Sequence, residues 1–234
     1  MPKTHINTKS STLHTLGYEV HRKLAAVPQH AIEDLRARAR QRSSVIFNTY
    51  AAGDSHVGDG RRKQMYSLRN KVTKPFFAQL DASLKSLAPS HQARAWVLVH
   101  SEAGCAEQTP HADYQPTRQL AQASDAEMPL AVLVAVMPQT RLEIWPRSIG
   151  WMASPEQPLC ALRAAKQTLE LGVGDVLLFR GDLVHASSAY AAEHVRLHCF
   201  LDNPAIRRTA NKTCHVDAQL DPDGLYRLDP FGLN

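Results

Sequence analysis

The sequence lacks any apolar run close to the twenty or so residues that a membrane-spanning helix needs. The first stretch, Met1 to Gly17, is rich in Ser, Thr, Lys and His and has no apolar core of the kind found in a secretory signal. The cysteines are few, widely spaced and without a C-x-x-C pair: Cys105, Cys160, Cys199 and Cys214. This usage argues against a disulfide framework or a zinc knuckle. These absences predict reduced thiols, no membrane span and a location inside the cell, in the cytoplasm or nucleus.

The length of the chain, 234 residues, is enough to bury a substantial core and lies within the range of one large all-β or mixed domain. We expect a disordered tail over 1–16 and a single domain over 17–234. The net charge of +5 permits an anionic partner but does not require one, because net charge bears on association and solubility. The sequence leaves the oligomeric state open.

Two segments near the N-terminus have the features of helices. Pro28 to Arg42 begins with proline, carries Glu33 and Asp34 early and ends in arginines, which complements the helix dipole. Pro75 to Leu87 places large apolar residues at helical spacing and predicts a core-facing stripe. The arginines of the first helix are compatible with nucleic-acid binding, but they are more typical of a solvated helix face.

Short strands separated by turns follow from Arg94 onward, which is typical of a β-sandwich or barrel. Leu130 to Met137 is apolar at every position, which indicates a strand covered on both faces, with the two helices as candidates for the outer cover. Two earlier strands are predicted, one over Gly17 to Val20 and one over Ser44 to Tyr50. We therefore expect a mainly β fold with flanking helices.

The segment near 51–74 has no regular pattern and predicts an insertion in the domain. Its second part, from Arg61 to Lys74, is a predicted basic loop that contains Arg61, Arg62, Lys63, Arg69, Lys71 and Lys74. A long irregular insertion is often a lid or a binding loop, and this charge suits an anionic substrate. A mobile loop with solvated charges explains the pattern equally well.

The residues with the clearest chemical meaning lie further along the chain. His111 and Asp113 are two positions apart, so in a strand both side chains project from one face. His185 follows a predicted turn and buried strand over Gly174 to Phe179 and begins another strand. Two imidazoles and one carboxylate on one side of a metal leave its other side open, which is the arrangement of non-haem Fe(II) oxygenases. The sequence therefore predicts a metal site of His111, Asp113 and His185.

A later arginine adds to this set. Arg196 and His198 share one face of the predicted last strand, while Leu197, Cys199 and Leu201 share the other. A buried guanidinium that faces a cavity needs an anion, and its planar fork matches a carboxylate. The polar face of this strand is therefore expected to point toward the site.

Together, His111-x-Asp113, His185 and Arg196 resemble the Fe(II)- and 2-oxoglutarate-dependent dioxygenase superfamily, most of all its phytanoyl-CoA/prolyl-hydroxylase-like branch. The resemblance covers about Gly17 to Asp202. It implies a double-stranded β-helix, which is a cupin-like jelly roll of two facing sheets. It also implies that His111, Asp113 and His185 bind Fe(II), that Arg196 binds 2-oxoglutarate, and that these four residues form the catalytic set.

The resemblance implies a reaction as well. With O₂, 2-oxoglutarate is decarboxylated to succinate and CO₂ while a C–H bond of the substrate is hydroxylated, or a methyl group is lost through an unstable hydroxylated product. Many relatives have Arg-x-Ser on the last strand, whereas this chain has Arg196-Leu197-His198. His198 and Gln108 are therefore the two candidates for a second contact to the cosubstrate.

Two other functions fit parts of the pattern. A non-oxidative cupin-type metal protein would share the fold but would leave Arg196 without a task. A catalytically inactive jelly-roll module would use the loop from Arg61 to Lys74 to hold nucleic acid or a partner protein. For an enzyme, the same loop favours an anionic or macromolecular substrate, such as a nucleic acid base or a protein side chain.

Overall fold

The computed structural model describes residues 12–45, 60–94, 96–108, 110–114, 120, 122–124, 126–149, 165–206 and 214–215. The helices over these ranges are α1 (Thr12–Thr15), α2 (Gln29–Arg42) and α3 (Lys74–Leu87). In the part of the chain so described, none of them has the length and apolar character needed to cross a membrane.

The strands over the same ranges are β1 (Tyr18–His21), β2 (Ser44–Val45), β3 (Arg62–Met65), β4 (Gln92–Ala93), β5 (Val97–Ser101), β6 (His111–Ala112), β7 (Leu130–Val134), β8 (Thr140–Ile144), β9 (Gln167–Leu171), β10 (Val176–Arg180), β11 (His185–Ser187), β12 (His194–Asp202) and β13 (Cys214–His215). Within the described residues they form two antiparallel sheets. The larger sheet has the order β1-β10-β7-β12-β5-β3-β2, with β4 paired to β12, and the smaller sheet has the order β13-β6-β11-β8-β9.

The two sheets face each other across an apolar core. The core draws on β7 and β10 of the larger sheet and on β8 and β9 of the smaller one, with Ala131, Leu133, Leu142, Ile144, Leu171, Leu177 and Phe179 among its buried residues. Two antiparallel sheets packed in this way form a jelly roll. The predicted fold class, mainly β with flanking helices, is confirmed.

Strand β7 shows why its sequence is apolar at every position. Leu130, Val132 and Val134 pack in the layer between the larger sheet and the helices, whereas Ala131 and Leu133 pack between the two sheets. Side chains alternate along a strand, so a strand covered on both faces needs apolar residues throughout.

Helices α2 and α3 cover the outer face of the larger sheet, as predicted. Their buried residues are Ala31, Ile32, Leu35, Ala39, Phe76, Phe77, Leu80 and Leu84. Phe77 also packs against Trp96, with the ring centroids 5.7 Å apart. Burial of each large apolar side chain contributes about 1.5–3 kcal/mol, so this layer holds the helices firmly on the back of the strands.

Strand β12 is apolar on one face and polar on the other. Val195, Leu197 and Cys199 belong to the layer under the helices, and burial raises the pKa of the Cys199 thiol to about 12. Arg196 and His198 contact residues of the smaller sheet and of the loop after β6. The sequence pattern predicted this division of the strand.

Two segments differ from the expectations. The predicted tail over 1–16 is wrong for its last residues, because Thr12–Thr15 forms α1 and Leu13 packs on the core. The predicted basic loop is wrong for Arg62–Met65, which forms β3 and pairs with β5. The rest of the tail, the first part of the insertion (51–59) and most of 207–234 lie outside the described residues.

Most of the basic residues between Arg61 and Lys74 form hydrogen bonds or ion pairs within the chain. Four have partners there: Arg61 donates to the carbonyl of Gly104, Arg62 donates to the carbonyls of Ala106 and Ser188, Lys63 pairs with Glu102, and Arg69 pairs with Asp81. Lys71 and Lys74 are exposed. Pairing with β5 and these contacts explain why the segment is ordered despite its lack of apolar periodicity.

Arginines of α2 also form ion pairs within the chain. Arg36 and Arg40 donate to the carboxylate of Glu193 at 2.5–2.8 Å, and the Nε2 atom of His100 lies 3.1 Å from the same group. The hydrogen bonds from Arg40 and Arg36 lower the pKa of Glu193 to about 2. These ion pairs join α2 to the start of β12, so this helix face is not simply solvated.

The turn before β10 depends on a glycine and an aspartate. Gly174 has a φ of +87°, and a Cβ atom there would lie 2.5 Å from a backbone carbonyl oxygen of the N-terminal segment. Asp175 accepts hydrogen bonds from the backbone N–H groups of Lys23 and Gly172 at 2.9 Å and from Arg22 at 2.6 Å. Burial raises the pKa of Asp175, but these donors lower it on balance. The carboxylate therefore fixes the N-terminal segment to β10.

Asp175→Asn should destabilise the protein by about 2 kcal/mol at neutral pH, because hydrogen bonds to a charged group contribute about 1.5–3 kcal/mol. The pKa of Asp175 is lowered in the folded state, so its stabilisation is present above the unfolded pKa of about 3.9 and is lost as the pH falls below it. Urea unfolding at about pH 7 and pH 3 should show the gap between wild type and variant shrinking at the lower pH. The exposed Glu33→Gln variant is the control, and a gap that does not depend on pH would contradict the assignment.

Candidate metal centre

Two histidines lie opposite each other on neighbouring strands of the smaller sheet. His111 on β6 pairs with His185 on β11, and their ring centroids are 4.5 Å apart. Residues directly opposite in an antiparallel pair project from the same face. The ring of His185 also contacts Phe179 of the core between the sheets, at 4.8 Å. Both imidazoles therefore enter the space between the two sheets.

Asp113 follows β6 and brings a carboxylate to the same place. One ligand atom each from His111, Asp113 and His185 can be chosen so that all three lie within 4.8 Å of one another. Over the residues that the structure describes, this is the one group of His, Cys, Asp or Glu side chains with such a geometry. The fold thus brings together the three residues predicted as a metal site.

The protonation of His185 suits metal binding. Its Nδ1 atom lies 3.0 Å from the carbonyl oxygen of Leu183, so an N–H at Nδ1 donates to that oxygen and Nε2 keeps its lone pair. Burial lowers the pKa of His185. Burial therefore favours the neutral ring, which is the form that binds a metal.

Asp113 is a buried carboxylate with an incompletely satisfied oxygen. Its Oδ1 atom lies 3.7 Å from Nε2 of His185, and its Oδ2 atom lies 3.5 Å from Nε2 of His198. Burial raises the pKa of Asp113, but the imidazoles of His185, His198 and His111 lower it on balance. Oδ2 is buried and makes no well-formed hydrogen bond to any described residue. An ionised oxygen that is buried without a well-formed hydrogen bond destabilises the fold unless a cation lies next to it.

The three side chains fit a divalent transition metal. Two neutral imidazoles and one carboxylate are the donors of the 2-His-1-carboxylate triad, which binds Fe(II) and leaves coordination positions open. Calcium and magnesium prefer all-oxygen ligand sets, so the two ring nitrogens argue against them.

Arg196 is a buried cation without a carboxylate beside it. The residue is 2% exposed. Its Nη1 atom donates to Oγ of Ser101 at 3.2 Å, its Nη2 atom donates to Oγ of Ser187, and its guanidinium carbon lies 5.8 Å from the centre of the Tyr190 ring. Burial lowers the pKa of Arg196; Tyr190 and Cys105 oppose this effect, but no Asp or Glu side chain of the described residues does. A guanidinium has five N–H groups, so three are left for a ligand.

Arg196 and the metal-site residues face the same interior. Ser187 lies two positions after His185 on β11, so both side chains project from one face of that strand. The charge of Arg196 is also close enough to contribute to the lowered pKa of His185. The site therefore combines a candidate metal centre with a neighbouring place for an anion.

The two candidates for a second cosubstrate contact lie at different places. His198 lies against Asp113. Gln108 is joined to the backbone of Ser187: its N–H donates to the Ser187 carbonyl at 2.9 Å, and its Oε1 atom accepts from the Ser187 N–H at 3.1 Å. His198 thus borders the metal site, whereas Gln108 supports the serine that holds Arg196. Their roles toward a cosubstrate stay predictions.

Three residues of the site were missed in the sequence, namely Ser101, Ser187 and Tyr190. Ser187 has a local signal, because it lies two positions after the predicted ligand His185. Ser101 reaches Arg196 through the pairing of β5 with β12, and Tyr190 reaches it from the loop after β11. Contacts between distant segments leave no periodic pattern in the sequence.

Tyr114 fixes the end of β6. Its ring packs on Gly181, where a Cβ atom would lie 2.1 Å from the nearest ring atom. Its hydroxyl donates to Asp202 at the end of β12, and Asp202 also accepts from Arg94 at 2.6 Å. Because Tyr114 directly follows Asp113, these contacts limit the positions that the carboxylate can take.

Comparison with known proteins finds solved structures that are similar to this chain. No family model matches the chain, and no curated protein matches its sequence. The epimerase SnoN, in complex with Fe³⁺, alpha-ketoglutarate and nogalamycin RO, is similar with a TM-score of 0.58 and 14% identity over 87% of this chain and 83% of that chain. HygX from Streptomyces hygroscopicus, with nickel, 2-oxoglutarate and hygromycin B bound, has a TM-score of 0.57 and 14% identity over 93% of both chains. AviO1 from Streptomyces viridochromogenes Tue57 has a TM-score of 0.58 and 17% identity over 85% of this chain and 95% of that chain.

The chain therefore has the fold of the Fe- and 2-oxoglutarate-dependent oxygenases, and the resemblance seen in the sequence motifs is confirmed for the fold. Fold and site together define the class as a jelly-roll protein with a candidate 2-His-1-carboxylate centre.

Gly181→Ala should weaken the binding of a divalent metal at least tenfold. The added Cβ atom displaces the Tyr114 ring and with it the neighbouring Asp113, and disturbing the groups that orient a metal ligand typically costs about 10–100-fold in affinity. Titration calorimetry with Mn(II) measures the effect. Gly172→Ala is the matched control, because its Cβ atom would lie at an ordinary 3.7 Å from Asp175. Unchanged Mn(II) affinity in a folded Gly181→Ala protein would show that Tyr114 does not position the carboxylate.

Proposed function

We propose that the chain is an Fe(II)- and 2-oxoglutarate-dependent oxidoreductase of the dioxygenase type. One observation carries the proposal: the buried guanidinium of Arg196, without a carboxylate beside it, lies near the cluster of His111, Asp113 and His185. A non-oxidative cupin-type metal protein needs the cluster but has no use for this cation. An inactive binding module needs neither.

His111, Asp113 and His185 are the residues that would hold Fe(II). Bound Fe(II), together with O₂ and 2-oxoglutarate, supplies the oxidation of a substrate C–H bond, with release of succinate and CO₂. The chain prepares the donors for this metal: the carbonyl of Leu183 fixes the ring orientation of His185, and Asp113 is ionised.

Arg196 binds the carboxylate of 2-oxoglutarate that is distant from the keto acid. The planar fork of a guanidinium matches two carboxylate oxygens, and such charge-assisted hydrogen bonds are about twice as strong as neutral ones. Ser101 and Ser187 fix the guanidinium in the cavity but carry no charge. The cosubstrate therefore supplies the anion that the protein itself does not.

Apolar side chains restrict water around these groups. Phe179 of β10 contacts the ring of His185, and Leu183 and Val184 directly precede β11; all three are fully buried. Exclusion of water strengthens the interaction of Arg196 with an anion and limits side reactions. The side chain of His198, beside Asp113, is 17% exposed, which is more than that of Asp113 at 8%.

Two of the similar structures support this assignment. SnoN is described with Fe³⁺ and alpha-ketoglutarate, and HygX with nickel and 2-oxoglutarate. The same structures hold small organic molecules, nogalamycin RO and hygromycin B. We infer that small molecules belong in the first substrate screen. Binding of nucleic acid or protein through Arg61 to Lys74 stays a prediction, and the partners of Arg62, Lys63 and Arg69 within the chain leave fewer charges for it.

The protein should release succinate from 2-oxoglutarate when supplied with Fe(II) and O₂, even without its substrate, at a slow uncoupled rate. His185→Ala should abolish this release, because one of three proposed metal ligands is lost, while circular dichroism shows an intact fold. The exposed histidine of α2 provides the control, and His30→Ala should keep the wild-type rate. Metal binding by wild type without any succinate would favour the non-oxidative cupin-type alternative.

Arg196→Ala should raise the KM for 2-oxoglutarate by about 10–100-fold, as expected when two charge-assisted hydrogen bonds are removed. The fold should survive, because the described residues contain no carboxylate that the change would leave unpaired. Succinate release at varied 2-oxoglutarate concentration measures the effect, with the exposed Arg42→Ala as control. A KM that stays at the wild-type value would mean that Arg196 does not contact the cosubstrate.

A further inference from the structure

Tyr190 lies beside Arg196 and is not one of the candidate metal ligands. It is a buried residue in the loop between β11 and β12, and its ring centre lies 5.8 Å from the guanidinium carbon of Arg196 and 5.5 Å from that of Arg141. The face of an aromatic ring carries negative potential and attracts a cation within about 6 Å, most strongly where water is excluded. Arg196 therefore has an aromatic partner in place of an acidic one.

The ring of Tyr190 is held in a fixed position. Its hydroxyl accepts a hydrogen bond from the N–H of Arg141 at 2.7 Å and donates to the carbonyl of the same residue at 3.0 Å. Its backbone N–H donates to the carbonyl of Cys105, and its carbonyl accepts from the N–H of Gly104. The imidazole of His194 stacks on the ring, with the centroids 4.2 Å apart and the planes at 15°.

The imidazole in this stack adds no positive charge next to Arg196. Burial, followed by the charge of Arg196, lowers the pKa of His194 to about 3. The ring is therefore neutral at physiological pH. A neutral imidazole packs against Tyr190 without weakening the attraction between the aromatic ring and the guanidinium.

The contacts of Arg196 divide into two kinds. The hydroxyls of Ser101 and Ser187 each take one N–H group and so fix the direction of the guanidinium fork. Tyr190 contacts the guanidinium as a ring. An arginine side chain loses about 2 kcal/mol of rotamer entropy when it is fixed, and fixing it before a ligand arrives improves the affinity for that ligand.

We propose that Tyr190 is a positioning residue that holds the guanidinium of Arg196 ready for a carboxylate, and that it thereby makes the site selective for 2-oxo dicarboxylic acids over 2-oxo monocarboxylic acids. The inference rests on the proposed function, because it takes Arg196 as the contact for the distal carboxylate of 2-oxoglutarate. If Tyr190 only filled the core, its loss would weaken the binding of both kinds of acid alike.

The test compares two ligands on the Mn(II)-loaded protein by titration calorimetry. The ligands are 2-oxoglutarate and 2-oxopentanoate, which has the same carbon chain and keto acid but no distal carboxylate. Tyr190→Leu should weaken 2-oxoglutarate binding about tenfold, in line with a buried cation–π contact, and should leave 2-oxopentanoate binding within about twofold. Tyr190→Phe keeps the ring and should retain a preference within about threefold of wild type.

Further variants separate the possible outcomes. Tyr190→Met also removes the ring and replaces Tyr190→Leu if the latter does not fold, and the half-exposed Tyr66→Leu is the control that should change neither affinity. Equal weakening of both acids, or no weakening of either, would overturn the positioning role of Tyr190. If the preference for 2-oxoglutarate over 2-oxopentanoate is lost in Arg196→Ala but kept in Tyr190→Leu, the positioning role of Tyr190 alone is overturned. A preference kept in Arg196→Ala, or absent from wild type, would overturn the proposed function together with the inference.

Discussion

The antiparallel pairing of β6 with β11 is the interaction on which the site depends. It sets the imidazole of His111 opposite that of His185, and it places Asp113 where β6 ends. The same strand β11 carries Ser187, which holds Arg196 from the larger sheet. A shift of one residue in this pairing would place the two imidazoles on opposite faces of the sheet, so the register decides whether a site exists at all.

The second constraint is electrostatic, because the site holds two opposite charges, on Asp113 and Arg196, that do not pair with each other. The carboxylate of Asp113 is influenced by three imidazoles, and the guanidinium of Arg196 by two serine hydroxyls and the ring of Tyr190. A fold selected only for stability would join these charges or replace both with apolar groups, since a buried charge without a partner is costly. Keeping them apart fits a site in which a cation joins Asp113 and an anion joins Arg196.

The sequence was informative where side chains follow a period and uninformative where distant segments meet. The apolar run of β7, the spacing of His111 and Asp113, and the alternation of Arg196 and His198 on β12 all follow the two-residue repeat of a strand. The strand over Arg62–Met65 shows no such repeat, because it is ordered by pairing with β5 and by contacts of its charges. The position of His198 against Asp113 depends on the packing of the two sheets, which no local pattern records.

A crystal structure of the protein with Mn(II) and 2-oxoglutarate would test the central claim most directly. We expect one metal ion bound by His111, Asp113 and His185, with the keto acid on the same ion and the far carboxylate of the cosubstrate on Arg196. A metal ion bound elsewhere, or a cosubstrate whose far carboxylate lies in solvent while Arg196 keeps only Ser101, Ser187 and Tyr190 as neighbours, would contradict the assignment of this site.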